Sequence, residues 1–416
     1  MGQKLEPRKT VAEGLVEVPR EVLDSRSDAE IIASLTRFQP VVSEKNVWAF
    51  WDHGLERMKP WMRQNVINWV RRLGSSWTVR VTDVVPGSPN HVLNYVPDDY
   101  FPSAFLENRI DGDQKGQHAS DLARLPLLIE HGGAYMDVGL LLFRNIDDIC
   151  WAELQDPKSP FEICAFALQG REYFGQIINS FIAARKGNIF AKKWHSIYLH
   201  LWADRTNLIG VQQHPAIRHL GLLKYDDDPT FGDACDWEAF TDYASHALAY
   251  ERLRLTKDPS PGGFDGAGYF QKHVFLLDAW SEMFLRQDEF DGDGLYEIFS
   301  TTYDLEKLSS GDVKQRAVEE LCNSLLAKSC MAKFSSGFWQ PGMPLPLTRH
   351  WADRENSSFD PMTWAGYLRH GSIHFEQLRY HGRCLPPLEI PLEKDTVHQV
   401  GLLEPVDEAA ASHKME

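Results

Sequence analysis

The apolar positions of residues 120–143 predict a helix that turns sharply into a buried strand. Ser120 can cap the start of the helix, because a serine side chain accepts a hydrogen bond from the free backbone N–H groups of a first turn. One apolar face follows, formed by Leu122, Leu125 and Ile129. The adjacent glycines Gly132 and Gly133 end the helix, since glycine adopts the left-handed backbone conformation of a tight turn at little cost. The apolar run 134–143 is typical of a strand buried on both faces.

One carboxylate, Asp137, interrupts this apolar run. Burying a carboxylate without a partner is unfavourable, so we expect Asp137 at the end of a strand, facing a metal ion, another cation or a polar ligand. The alternative is a structural role, in which Asp137 caps a turn or pairs with Arg124 or Arg144. Both roles are compatible with the pattern.

The region before this stretch has the pattern of a parallel βαβ unit. The aromatic-rich run 46–51 predicts a strand, 60–73 predicts an amphipathic helix, and 77–82 alternates as a second strand. A strand, a helix and a strand at this spacing imply parallel pairing. Further along, apolar periodicity predicts a strand at 161–168 and helices at 177–185, 188–201, 270–285 and 313–329.

Composition limits the partners and the compartment. The chain has 416 residues and a formal net charge of -16 at pH 7, which argues against nucleic acid or an anionic membrane surface as the main partner, because both attract basic surfaces. Its 6 cysteines show no C-x-x-C pair and no zinc-like spacing, so we expect buried free thiols in a reducing compartment. No apolar run reaches the length of a membrane span. We therefore expect a cytoplasmic protein.

The pattern S-D-x-x-R, followed by an apolar half-helix and G-G-x-Y-x-D, resembles the nucleotide-sugar-binding region of glycosyltransferases of the capsular polysaccharide synthesis type. More distantly, it is similar to α-1,6-mannosyltransferase-like enzymes with a DXD region. The opening W-x-F-W-D, followed by a tryptophan-containing helix and W-x-V-R-V, resembles the first βαβ unit of the same enzymes. The resemblance implies an α/β fold of the GT-A type, with a mostly parallel twisted sheet flanked by helices and with helical additions.

The resemblance also implies a site for a nucleotide-sugar donor. Asp137 matches the first aspartate of the DXD motif and would be the catalytic acidic residue, approaching the donor diphosphate through a divalent metal ion. The implied donor-binding residues are Trp48, Trp51, Asp83, Ser120, Asp121, Arg124, Gly133 and Tyr135. Lys333, Arg349 and His350 fall in a late region that resembles, more loosely, the part where a basic residue meets the diphosphate.

The chain departs from the DXD motif at its second acidic position, which is Gly139. One carboxylate, with phosphate oxygens and waters, holds Mn²⁺ or Mg²⁺ more weakly than two carboxylates do. An arginine or lysine side chain can instead supply the positive charge, and Arg124 and Arg144 are the nearest candidates in the sequence. A bound Mn²⁺ or Mg²⁺ is therefore an expectation that the sequence supports only in part.

The implied activity is transfer of a sugar from a nucleotide-sugar donor to a small-molecule or glycan acceptor, with secondary metabolism as one setting. Two alternatives keep the fold: non-glycosyl chemistry, such as cyclisation or another group transfer on a hydrophobic metabolite, and a non-catalytic binding protein. We expect an N-terminal extension at 1–44, a GT-A-like catalytic domain at 45–385 and a C-terminal tail at 386–416.

Overall fold

The computed structural model describes residues 11–168, 177–224, 234–287, 289–354, 356–385 and 397–406. The strands are β1 (Leu15–Glu17), β2 (Asn46–Phe50), β3 (Thr78–Thr82), β4 (Gly133–Met136), β5 (Leu140–Leu142), β6 (Ile163–Ala167), β7 (Ile177–Ala184), β8 (Val274–Asp278), β9 (Met331–Lys333), β10 (Phe375–Gln377) and β11 (Cys384–Leu385). The helices are α1 (Asp28–Leu35), α2 (Pro60–Leu73), α3 (Ser103–Leu106), α4 (Lys115–His131), α5 (Ala152–Gln155), α6 (Ile189–Leu201), α7 (Trp237–Tyr243), α8 (Ser245–Arg254), α9 (Gly266–His273), α10 (Ala279–Glu282), α11 (Gly292–Ser300), α12 (Leu305–Ser310), α13 (Val313–Lys328), α14 (Leu347–Asp353) and α15 (Trp364–His374).

A seven-stranded sheet in the order β11-β8-β6-β7-β4-β2-β3 forms the centre of the described fold. Strand β2 pairs in parallel with β3 and β4, and β6 pairs in parallel with β8. Strand β7 is antiparallel to both β4 and β6, and β11 is antiparallel to β8. Strands β3, β2, β4, β6 and β8 therefore point the same way. The predicted α/β class, with a mostly parallel sheet flanked by helices, is confirmed.

The first βαβ unit forms as predicted because β2 is apolar on both faces. Val47 and Ala49 pack with α1 and α2 on one side of the sheet. Trp48 and Phe50 pack with α4 and α6 on the other side. Proline at the first position of α2 has no backbone N–H to leave unpaired there, so Pro60 suits the start of the helix.

The connection from α4 to β4 depends on two glycines. Gly132 ends α4 with φ 69°, and Gly133 begins β4 with φ 108°. Helix α4 starts at Lys115, so the prediction that Ser120 caps it is wrong. Ser120 lies within the helix, where its side chain has other partners, described below.

Three predicted elements differ from the structure. The run 134–143 is divided between β4 and β5, and β5 leaves the central sheet to pair with β9. Segment 177–185 forms strand β7 rather than a helix, and 270–285 is divided among α9, β8 and α10. A central strand buried on both faces lacks polar alternation, so its pattern does not differ from that of a buried helix. The predicted elements at 161–168, 188–201 and 313–329 are confirmed as β6, α6 and α13.

The ends of the chain join the fold in part. Strand β1 pairs with β10, so a piece of the predicted N-terminal extension contacts the residues of the predicted catalytic domain. The boundaries at 44 and 385 stay predictions, and most of the predicted tail lies outside the described residues. All 6 cysteines are free, but only five are buried as predicted: Cys384 lies on the edge strand β11 and is exposed. None of the helices in the described ranges has both the length and the apolarity needed to cross a membrane.

Candidate active site

Three parallel strands end at one edge of the sheet and bring predicted site residues to it. Trp51, Asp83 and Asp137 come directly after β2, β3 and β4, and the carboxyl ends of parallel strands share one edge, where α/β proteins bind ligands. Helix α4 precedes β4 and packs against β2 and β4. It runs back along the sheet, which places Ser120 and Asp121 at this same edge.

Arg124 is the centre of a buried polar cluster on α4. Its Nη2 lies 2.6 Å from Asp121 Oδ1 and donates to Ser120 Oγ at 3.2 Å. Its Nη1 donates to the carbonyl oxygen of Asn179 on β7, and the guanidinium lies 4.8 Å from the centre of the Tyr135 ring. The Tyr135 hydroxyl in turn lies 2.6 Å from Ser120 Oγ. Helix α4 and strands β4 and β7 thus fix the guanidinium in one position.

Asp137 lies beside this cluster and is more accessible. Its backbone N–H donates to the Ser180 carbonyl at 2.8 Å, which ends the pairing of β4 with β7. Oδ2 lies 3.2 Å from Lys333 Nζ, and Oδ1 lies 3.8 Å from Arg124 Nη2. The side chains of Asp137 and Lys333 are 26% and 17% exposed, against 4% for that of Arg124. A ligand arriving from solvent therefore meets Asp137 and Lys333 first.

Burial changes the ionisation of Asp121. It raises the pKa of this carboxyl to about 7, since the attraction of Arg124 only partly offsets the loss of solvation and Asp137 adds repulsion. Burial also works against the charge of Arg124, but Asp121 and Asp137 raise the pKa of Arg124 and keep it cationic. Asn179 Nδ2 donates to Asp121 Oδ1 at 3.1 Å and lies 3.2 Å from His246 Nδ1. Burial, together with Arg124, lowers the pKa of His246 well below its usual value.

The 334–339 segment, which follows Lys333, contacts helix α4 and Tyr243. Gln117 Nε2 on α4 donates to the Gly337 carbonyl at 3.0 Å. A Cβ atom at Gly337 would lie 2.2 Å from the Tyr243 hydroxyl, so the segment passes this ring with no room for a side chain. Phe338 is buried against the aromatic ring of Tyr243. The segment thereby holds Lys333 in place opposite Asp137.

Two predicted donor-binding residues lie in packing positions. Trp48 is fully buried, and its indole N–H donates to the Gly132 carbonyl at 3.0 Å. Gly133 lies against the backbone of β2, where an added Cβ would stand 2.2 Å from the Asn46 carbonyl oxygen. Their positions favour roles in joining β2, α4 and β4, and contact with a donor stays a prediction for both.

Trp51 and Asp83 lie at the same carboxyl edge of the sheet, and their hydrogen bonds go to residues at or after the end of β3. The backbone N–H of Trp51 donates to the Thr82 carbonyl at 2.9 Å, and its side chain is half-buried. Asp83 accepts from the Val85 N–H at 3.0 Å and from Ser88 Oγ at 2.7 Å, which folds the loop after β3. Their predicted donor contacts are consistent with this edge and stay predictions.

The structure adds residues that the sequence reasoning missed or placed loosely. Asn179 and His246 complete the surroundings of Asp121, and Ser335 lies against Gly139. Asn179 had a usable signal, because it interrupts the apolar run of β7 as Asp137 interrupts its own run. A loose resemblance placed Lys333, Arg349 or His350 near a diphosphate. The structure brings Lys333 to Asp137, whereas Arg349 lies over the Trp339 ring and His350 lies 2.7 Å from Asp293.

The side chains present do not form the ligand set of a resident divalent metal. Asp137 is already flanked by Lys333 and Arg124, and a Cβ atom at Gly139 would lie 2.3 Å from Ser335 Oγ. Among the described residues, no three His, Cys, Asp or Glu side chains are grouped so as to hold a metal ion. Hard cations such as Mn²⁺ and Mg²⁺ need several oxygen ligands, so this donor set does not fit either ion. The predicted Mn²⁺ or Mg²⁺ stays a prediction.

Comparison with known proteins finds relatives that cover most of the chain. Residues 16–212 match the capsular polysaccharide synthesis protein family. The chain is 40% identical to the O-glycosyltransferase braB of Annulohypoxylon truncatum over 407 residues, covering 95% of this chain and 94% of that protein. It is 39% identical to the probable glycosyltransferase FCK3 of Fusarium pseudograminearum (strain CS3096), covering 92% and 96%, and 36% identical to the O-glycosyltransferase PaGT of Phomopsis amygdali, covering 94% and 96%.

The sheet, the charged cluster at its carboxyl edge and these relatives together define the class as a glycosyltransferase. The chain belongs to the same family as these fungal glycosyltransferases, and its residues 16–212 match the capsular polysaccharide synthesis protein family. Among solved structures it is similar to the PaToxG glycosyltransferase, with 16% identity, a TM-score of 0.29, and coverage of 42% of this chain and 67% of that chain.

Proposed function

We propose that this glycosyltransferase moves a sugar from a nucleotide-sugar donor to a hydroxyl group of a small-molecule or glycan acceptor, and that its donor binds at the Asp121–Arg124–Asp137–Lys333 cluster. The convergence of these four side chains at the carboxyl edge of the sheet carries the proposal. The names of the relatives braB and PaGT, both O-glycosyltransferases, support an oxygen nucleophile. A cytoplasmic setting in secondary metabolism belongs to the same proposal.

The cluster suits both halves of a nucleotide sugar. Carboxylate oxygens of Asp121 and Asp137 accept hydrogen bonds from sugar or ribose hydroxyls, and Arg124 and Lys333 offset the negative charge of the diphosphate. During transfer the bond from the sugar C1 to the diphosphate oxygen breaks, and a bond from C1 to the acceptor oxygen forms. The released nucleoside diphosphate keeps the electron pair, and the hydroxyl proton of the acceptor passes to it or to solvent. Fixed positive charge beside the leaving oxygen stabilises the transition state.

A ligand panel tests the donor site directly. The thermal midpoint of the purified protein is measured with UDP, GDP and their common sugar conjugates, because a ligand that binds only the folded state raises the midpoint by mass action. We expect one nucleotide family to raise it. If no nucleotide shifts the midpoint at millimolar concentration, the proposed donor site is wrong. The alternative, chemistry on a hydrophobic metabolite, is then favoured.

Asp137→Asn tests the role of the accessible carboxylate. The side chain keeps its shape but loses its charge, so we expect kcat/KM for sugar transfer to fall roughly 100-fold while the fold persists. Asp147→Asn is a matched control, since the Asp147 side chain is 27% exposed and also pairs with a lysine, at 2.8 Å from Lys45 Nζ. Lys45 directly precedes β2, so this pair lies at the opposite edge of the sheet. Equal activity of the two variants would show that Asp137 does not take part in sugar transfer.

A further inference from the structure

The position that matches the second acidic residue of the DXD motif, Gly139, lies against a neighbouring segment. Strand β5 pairs antiparallel with β9, with Leu140 opposite Lys333. This pairing brings Ser335 over Gly139, so that a Cβ at position 139 would lie 2.3 Å from Ser335 Oγ and 3.3 Å from Ser335 Cβ. An aspartate at 139 would require Ser335 to move. The same pairing delivers a lysine to the position that faces Asp137.

The charges around Asp137 also oppose a dication. Lys333 Nζ lies 3.2 Å from one carboxylate oxygen, and Arg124 Nη2 lies 3.8 Å from the other. A divalent ion bound to Asp137 would stand close to both cations, and like charges at such distances repel strongly where solvent is partly excluded. Lys333, by contrast, has three N–H donors, and its contact with Asp137 leaves donors for a further anion.

We propose that Lys333 takes the place of the divalent metal ion: Asp137 orients its ammonium group, and Lys333 and Arg124 together bind the donor diphosphate, so that donor binding and sugar transfer need no metal. The inference rests on the proposed function and deepens it at the same site. In the transfer step described above, the ammonium of Lys333 donates hydrogen bonds to the departing diphosphate. No proton need leave Lys333, because the charge on the leaving oxygens is met by hydrogen bonding.

The first measurement compares metal-free and metal-loaded enzyme. Binding of UDP and GDP is measured by isothermal titration calorimetry in excess EDTA and in millimolar Mn²⁺ or Mg²⁺. The metal content of the EDTA-treated protein is checked by inductively coupled plasma emission spectrometry. We expect affinity and donor turnover to differ by less than about twofold between these conditions. A requirement for Mn²⁺ or Mg²⁺ in the wild-type enzyme overturns the inference while leaving the proposed function intact. Absence of binding under every condition instead refutes the donor site itself.

Lys333→Met removes the charge and keeps much of the apolar stem. We expect it to weaken nucleoside diphosphate binding in EDTA about tenfold or more, as loss of a charge-assisted hydrogen bond does. Lys45→Met is the matched control, because Lys45 also pairs with an aspartate, Asp147, at the far edge of the sheet, and it should leave binding unchanged. Unchanged binding in Lys333→Met would overturn the role of Lys333.

A charge reversal separates replacement of a metal from general attraction of anions. Lys333→Glu places a second carboxylate beside Asp137, which creates the oxygen-rich surroundings that Mn²⁺ prefers. We expect this variant to lose nucleoside diphosphate binding in EDTA and to recover part of it in Mn²⁺. If Mn²⁺ restores nothing although the protein remains folded, Lys333 does not stand at a metal-equivalent position.

Discussion

At the scale of single residues, the candidate site depends on how burial and charge act on a few side chains. Asp121 pairs with Arg124 at 2.6 Å, yet burial raises the pKa of its carboxyl to about 7. The loss of solvation disfavours the charged form of the carboxyl, and repulsion from the nearby Asp137 disfavours it further. Asp121 is therefore a group whose proton occupancy changes near neutral pH, inside the proposed donor site.

This shift predicts a pH-dependent stability that Asp121→Asn should reduce. The pKa of Asp121 is higher in the folded state than the value of about 3.9 in an unfolded chain, so the folded state binds the proton more tightly. The free energy of unfolding must then fall as the pH rises from about 4 through about 7. In urea titrations at pH 5 and pH 8, the wild type should lose about 2 kcal/mol more than the variant. An equal loss in both proteins would show that Asp121 ionises in the folded state as it does in the unfolded chain.

The sequence identified site residues where a polar side chain breaks an apolar run. Asp137 was predicted on that ground, and the structure places it at the end of β4 as expected. The structural alternative is also present in part, since Arg124 lies 3.8 Å from it. Ser120 was interpreted as a helix cap, but its hydroxyl contacts Tyr135 and Arg124. Local pattern shows that a polar group needs a partner, and tertiary contacts decide which partner it has.

At the scale of elements, the turn between α4 and β4 aligns the helix that carries Asp121 with the strand that leads to Asp137. Gly132 and Gly133 both have positive φ values, of 69° and 108°. A Cβ at Gly133 would lie 2.2 Å from the Asn46 carbonyl oxygen, which belongs to β2. Glycine is required there by both backbone conformation and close approach.

Gly133→Ala should therefore destabilise the protein by about 3 kcal/mol or more, because backbone strain and a clash with β2 add together. Gly187→Ala is the control: φ is +77°, but nothing lies within 4 Å of the added Cβ. It should cost only about 1 kcal/mol from backbone strain. Urea unfolding midpoints measure both variants. Similar losses would mean that β2 and β4 separate easily and that the close approach is unimportant.

Helix α6, which has a clear start signal, was predicted well, whereas the buried strand β7 was predicted as a helix. Helix α6 begins after Asn188, whose side chain accepts from the Ala191 N–H at 2.8 Å, and its start was predicted correctly. Strand β7 lies between β4 and β6, and both its faces are covered, because Ile182 packs in the core on one side of the sheet and Phe181 in the core on the other. Its residues show no alternation, and the sequence alone indicated a helix. The break between β4 and β5 was missed for the same reason.

At the scale of the whole molecule, the candidate site joins parts of the chain that are far apart in sequence. Lys333 and Asp137 are separated by 196 residues and meet because β9 pairs with β5. Neither strand is longer than three residues, so neither has a pattern that would reveal the pairing in advance. Asn179 and His246 likewise meet across 67 residues. The S-D-x-x-R and G-G-x-Y-x-D pattern was visible in the sequence, whereas the residues that complete the cluster depend on the tertiary fold.

The buried histidine His195 on α6 predicts how the stability of the whole molecule responds to acid. His195 is buried, its Nε2 lies 2.8 Å from the Tyr100 carbonyl oxygen, and burial lowers the pKa of His195 to about 4. The folded state binds this proton less tightly than the unfolded chain, where the pKa is about 6.5. The stabilisation is complete above pH 6.5 and is lost as the pH falls from there towards 4.

His195→Gln should therefore weaken the acid sensitivity of the fold. Between pH 7.5 and pH 5, the free energy of unfolding of the wild type should fall about 2 kcal/mol further than that of the variant, because the variant has no imidazole to protonate. His53→Gln is the control, since the His53 side chain is 60% exposed, and it should keep the wild-type dependence on pH. Urea unfolding at the two pH values measures all three proteins. If His195→Gln retains the full loss, the imidazole of His195 takes up its proton within the folded protein and another buried group causes the acid sensitivity.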